Sequence, residues 1–125
     1  MAAPNIVNVT TITGVTTFKS GIGTAGAITT VVSNAASSGK VLKINSLMAS
    51  GIGATTGVTV KLSNNAAGTG SSVSIGMTLS VPTFSTLAVI SKDNSVYVEE
   101  DRSIIAFAQS NAGTIDVVCS YEEIS

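Results

Sequence analysis

The chain has no histidine, no tryptophan and one cysteine in 125 residues. It also has no acidic residue before Asp93. Each gap closes off some chemistry. Without histidine there is no side chain whose ordinary pKa lies near neutrality, so general acid–base work at pH 7 has little to draw on. A Ser-His-Asp triad and a histidine-ligated zinc site are excluded outright. A lone Cys119 allows no intrachain disulfide. It sits in an apolar alternating run beside Asp116, Glu122 and Glu123, surroundings that favour a buried thiol over a reactive thiolate. Aromatics are Phe18, Phe84, Phe107, Tyr97 and Tyr121 alone. The core is therefore expected from Val, Ile, Leu, Ala and Met, with most of the aromatics inside it. Charged residues are only 10% of the chain, against roughly 25% in an average soluble domain. No run reaches the apolar length of a membrane-spanning helix. Met-Ala-Ala-Pro-Asn at the start lacks the basic and apolar regions of a signal peptide, so the Asn8-Val9-Thr10 sequon reads as accidental.

What is present is hydroxyl and small side chains: serine and threonine together number 34. So uncharged a surface suits a protein that ends in a packed assembly, because free solubility is usually maintained by charge. The few charges are sorted along the chain. Lys19, Lys40, Lys43 and Lys61 give the first 63 residues a formal +4, while Lys92 and Arg102 against seven acids leave −5 on the rest.

Period-two alternation recurs and helical spacing does not. Val73, Ile75, Met77, Leu79 and Val81 alternate with Ser and Thr or Gly; Val58, Val60 and Leu62 do the same, as do Ile115, Val117, Cys119 and Tyr121. Each pattern predicts a strand with one face on a core. Strands are expected at about 5–12, 15–19, 27–33, 40–50, 57–63, 72–80, 86–91, 95–98, 103–109 and 114–121. Loops are expected at Asn34 to Gly39 and Ser63 to Ser72. Ser110-Asn111-Ala112-Gly113 reads as a hairpin turn pairing the 103–109 and 114–121 strands. The fold class that follows is all-β: a single-domain antiparallel β-sandwich or jelly roll. Residues 1–30, rich in Thr and Gly, read as an N-terminal arm or an edge hairpin, and 31–125 as the sandwich domain.

Three motifs dissolve on inspection. Gly21-Ile22-Gly23-Thr24-Ala25-Gly26 matches the dinucleotide fingerprint in letters, but a strand follows where a helix is needed, and the next acid is Asp93. Ser37 and Lys40 have the Ser-x-x-Lys spacing of some acyl-transfer enzymes, without the helix or the Lys-Thr-Gly that go with it. Glu99-Glu100-Asp101-Arg102 could offer oxygens to calcium, yet neighbouring side chains in a turn seldom converge on one ion. The basic residues are too sparse for a nucleic-acid stripe. No catalytic residue, cofactor site or metal site is expected, and the chain is read as non-enzymatic. The candidate interaction residues are Lys19, Lys40, Lys43, Lys61, Glu99, Glu100, Asp101 and Arg102, through which basic and acidic surfaces would meet on neighbouring subunits or pair within one sandwich.

Three stretches carry a family likeness. They are Ser37-Ser38-Gly39-Lys40-Val41-Leu42-Lys43-Ile44-Asn45-Ser46-Leu47; Val81-Pro82 with Ser85-Thr86-Leu87-Ala88-Val89-Ile90-Ser91-Lys92-Asp93; and Val96-Tyr97-Val98-Glu99-Glu100-Asp101-Arg102-Ser103-Ile104 with the closing Ser120-Tyr121-Glu122-Glu123-Ile124. In these the chain resembles small virion structural proteins of tailed bacteriophages, especially marine and cyanobacterial ones. Glu100-Asp101-Arg102-Ser103 departs from the Glu-Gly-Asp-Ser usual there. The resemblance implies a β-sandwich built into a capsid or tail as a homo-oligomer, with no enzymatic activity. The expected role is a capsid decoration or cement protein, made in the host cytoplasm and placed on the capsid exterior. Its partners would be copies of itself, a trimer being one candidate, and the major capsid protein or other virion proteins, with no nucleic acid and no membrane. A tail, neck or fibre-associated part, or a carbohydrate-binding jelly roll, are the alternatives.

Overall fold

A computed structural model describes residues 8–125. Nine strands run β1 Ile12–Lys19, β2 Thr29–Asn34, β3 Val41–Gly51, β4 Thr56–Ser63, β5 Ser72–Val81, β6 Thr86–Ile90, β7 Val96–Val98, β8 Arg102–Ala108 and β9 Ile115–Ile124. The one helical element among the described residues is a 3-10 turn at Lys92–Asn94 between β6 and β7. No helix there is long and apolar enough to cross a membrane.

The strands form two antiparallel sheets. One is ordered β1-β9-β3-β6, with β7 also on β3; the other is β2-β8-β4-β5. β6 and β7 pair with successive stretches of the same long strand, β6 with Leu47–Ser50 and β7 with Leu42–Ile44. Counted as one interrupted strand, they make eight strands in two sheets of four. The order is that of a jelly roll, two Greek keys folded on each other.

The core lies between the sheets. Ile44, Leu47, Ala49, Val117 and Cys119 from one sheet meet Val58, Val60, Ile104, Ala106 and Ala108 from the other, all fully buried. Burying each branched aliphatic side chain contributes roughly 1.5–3 kcal/mol. Alternation explains why these positions and not their neighbours are inside: on β9 residues 115, 117 and 119 point in, while Val118 is exposed.

Several expectations need correction. Asn111 and Gly113 do take positive φ, but β8 and β9 are not a hairpin. β8 pairs with β2 and β4, and β9 with β1 and β3, so the turn arches from one sheet to the other. A turn signal gives a reversal of direction, not the partner. Among the described residues before 31, no hairpin forms. β1 is an edge strand of the sandwich on β9 and β2 lies in the opposite sheet. β1 runs unbroken through Gly14. The strand expected over 5–12 falls partly outside the described residues, and 8–11 are not strand. On β5 the alternation fails. Val73 and Met77 are 67% and 63% exposed. Thr78 takes a positive φ and the register against β4 shifts between Val58 and Val60, a bulge that turns the side chains off period two. None of the five aromatics is in the buried core.

Candidate functional site

The sandwich has two unlike ends. β3 enters at Val41 where β9 ends at Ile124, and β8 begins at Arg102 opposite Asn34. This end gathers the 34–40 loop, the 63–72 loop and the 98–102 turn, and with them most of the charge.

Here the charges find partners in their own chain. Antiparallel pairing of β3 with β9 sets residues near 40 beside residues near 123, so the +4/−5 split along the sequence does not become two poles in space. Lys40 Nζ is 3.5 Å from Glu123 Oε1. Lys43 stands in register between Glu122 on β9 and Tyr97 on β7. Arg102 Nε is 3.6 Å from Glu99 Oε2. Asp101, at a positive φ, accepts a hydrogen bond on Oδ1 from the Ala66 amide at 3.0 Å, which pins the 63–72 loop to the turn. Glu100 buries Oε1 with no partner among the described residues. The structure thus brings together Lys40, Lys43, Glu99, Glu100, Asp101 and Arg102 at one end. Lys61 is half-buried on β4, in register with Ser74 and Ile105. Lys19 ends β1 at the opposite end, in register with Val117.

The loops at the polar end are shaped by side-chain clamps. Asn34, buried, donates from Nδ2 to the carbonyls of Lys40 and Val98, and Ser38 Oγ donates to its Oδ1. That explains the Ser37–Lys40 segment: a loop with Ser37 and Gly39 at positive φ, leading into β3. Gly21–Gly26 is likewise a connection from β1 to β2, its Gly23 carbonyl accepting from the Ala108 amide. No helix follows to hold a phosphate.

A groove of about 560 Å³ opens on the outer side of the β2-β8-β4-β5 sheet, between the 25–28 and 67–70 segments and above Ile105. Ala, Gly, Ile, Thr and Ser line it, with no ionisable group, so it has nothing with which to move a proton. Among the described residues no three of His, Cys, Asp or Glu gather where a metal ion could sit. Burial pushes the Cys119 thiol up to about 12. Tyr121 is also raised, first by burial, then by the charges of Glu123 and Cys119.

Sequence reasoning missed a set of exposed apolar residues. Phe84 is 87% exposed, Phe18 72% and Tyr97 42%, and Met48 and Val118 are exposed too. Phe84 also holds φ +59. Aromatic content alone hid them, since scarce aromatics are usually core. The signal available was period: Phe18 and Val118 occupy the outward phase of their strands. No protein-family description matches this chain, and no curated protein matches it.

Proposed function

We propose that the chain is a non-enzymatic structural protein of a tailed-bacteriophage particle, a capsid decoration protein that docks on the outside of the shell and stabilises it as a homo-oligomer. One observation carries this reading. The three stretches with virion-protein likeness fall mostly on β3, β6, β7 and β9, which are hydrogen-bonded neighbours in one sheet, and reach the other sheet only at Val81 of β5 and Arg102–Ile104 of β8. Most of the likeness thus gathers on one sheet of the sandwich. The bare jelly roll, with no inserted subdomain among the described residues, agrees with it, since this architecture serves viral shells. The mechanism is mechanical. Each copy bridges neighbouring shell subunits through an interface of ordinary size, and symmetry repeats the gain over the particle.

Copy number in purified particles tests it. Quantitative mass spectrometry should find this chain in amounts comparable to the shell protein, on the order of hundreds per particle. Absence from the particle overturns the reading. A count near about a dozen, as a ring would give, replaces decoration with a neck or tail role.

A carbohydrate-binding jelly roll is the second reading, favoured by the exposure of Phe18, Phe84 and Tyr97. These do not form one platform. Phe18 and Tyr97 lie on opposite margins of one sheet, and Phe84 is on the loop before β6. Glycan-array binding by the chain that is lost in Phe84→Ala would establish it.

A further inference from the structure

The outer face of the β1-β9-β3-β6/β7 sheet is organised in rows. Phe18, Val118, Met48 and Ala88 are cross-strand partners in succession, Phe18 with Val118, Val118 with Met48, and Met48 with Ala88. All four are exposed. Nearer the polar end a second row reads Gly14, Glu122, Lys43 and Tyr97, again by direct register. Between them Thr16 and Ser120 share a hydroxyl hydrogen bond at 2.7 Å.

Gly14 has no explanation within one chain. It sits mid-strand, outside the positive-φ region, with open space where a Cβ would stand. A strand glycine weakens the strand and commonly marks a place where another surface approaches closely.

We infer that this face binds the same face of a second copy, about a two-fold axis parallel to the strands and passing between β9 and β3. The axis leaves each row facing itself in reverse order. Phe18 of one copy then stands over Ala88 of the other, and Val118 over Met48. In the second row Tyr97 stands over Gly14, and Lys43 over Glu122. Each aromatic ring meets a small residue, Val118 meets Met48, and each cation meets an anion, twice, as an isologous contact requires. Two twisted sheets pack face to face in this aligned manner, their strands within about 30° of each other. Four strands about 4.8 Å apart and about eight residues long frame roughly 500 Å² per copy. That places the contact at the small end of specific interfaces, near 1,000 Å² in total, and association in the micromolar range. The inference does not rest on the shell reading, because it concerns the free chain.

Sedimentation velocity of the full chain from about 1 to about 200 µM, the span suited to a micromolar Kd, should show a monomer–dimer equilibrium. Gly14→Ile, which has room in the monomer and suits a strand, should weaken it at least about tenfold, as should Met48→Lys at the centre of the face. The deciding experiment uses two charge variants. Lys43→Glu makes the pair all acidic and Glu122→Lys makes it all basic. Each alone should stay monomeric, and their equimolar mixture should form heterodimers. Circular dichroism matching the wild type shows that each variant folds. A wild-type chain that stays monomeric, or forms a trimer, overturns the inference. So does a Gly14→Ile chain that dimerises like the wild type, or a charge mixture that remains monomeric.

Discussion

Asn34 donates its side-chain amide to the Val98 carbonyl at 3.1 Å, tying β2 of one sheet to β7 of the other. The same amide reaches the Lys40 carbonyl at 2.9 Å, so one side chain sets both the spacing of the sheets and the entry of β3. Asn34→Ala would strand two carbonyls and the Ser38 hydroxyl. Losing partners at a buried site costs about 1–3 kcal/mol per group where water cannot substitute. We expect about 2–3 kcal/mol lower stability in urea unfolding, more than for Ser38→Ala, which removes two bonds confined to the loop, one to Asn34 Oδ1 and one from the Lys40 amide, and leaves both Asn34 donations to the carbonyls in place. A change in Asn34→Ala below about 0.5 kcal/mol, the size of an ordinary surface substitution, would show that the clamp does not hold the sheets.

Phe84 is the most exposed of the large hydrophobic residues and occupies a left-handed conformation. A side chain there costs about 1–2 kcal/mol, and an exposed ring recovers little of it by burial. Glycine relieves the strain while its backbone amide can still donate to the Gly51 carbonyl, as Phe84 does at 2.8 Å. The greater freedom of glycine in the unfolded chain offsets about 0.4–1 kcal/mol. Phe84→Gly should therefore leave the fold intact and raise its stability by about 0.5–1 kcal/mol, seen as a higher urea midpoint at unchanged slope. A lower midpoint would mean that the ring packs against something in the free protein.

The strand positions were legible because burial follows period two, and Ile115, Val117 and Cys119 point inward as their spacing requires. Partner choice was not. The apolar phases of β8 and β9 look alike whether the two strands lie side by side or face each other across a core, and here they face. The outward side of β5 was misread because Thr78 adopts a conformation that period cannot foretell. At the polar end, Lys40 and Glu123 carry no mutual sequence signal; only the β3–β9 register joins them. The strand expected over 15–19 starts after Gly14, yet β1 begins at Ile12 and runs through the glycine. Its meaning depends on Tyr97 at the far margin of the same row, a relation visible only once the sheet is assembled.

Cys119 is fully buried on the inward face of β9, and desolvation of the thiolate raises its pKa from an ordinary 9.0 to about 12. The folded chain thus holds the proton that the unfolded chain releases above about 9. The stabilisation is fully present below that pH and is lost as pH rises toward about 12, at up to about 1.4 kcal/mol per pH unit. Cys119→Ala or Cys119→Val should flatten this alkaline decline in urea unfolding followed from pH 8 upward. At pH 8 the native thiol should resist a disulfide reagent and react fully in denaturant. Rapid labelling of the native chain would contradict the burial argument.

Neutralising Glu99, Glu100 and Asp101 together reads stability and assembly separately. Glu99 and Arg102 are both substantially exposed, and such a pair contributes about 0–1 kcal/mol. Asp101 accepts from the Ala66 amide, a bond that an asparagine oxygen can also accept. The triple variant Glu99→Gln, Glu100→Gln, Asp101→Asn should therefore unfold within about 1 kcal/mol of the parent. If this turn meets a basic surface on the shell, removing its charge should slow attachment, because complementary charge acts chiefly on encounter and register. Purified shells mixed with each protein should take up less of the variant at low salt. The difference should shrink at high salt, where screening weakens the parent as well. Equal occupancy at low salt would assign the turn a role inside the chain alone, holding the 63–72 loop through Asp101.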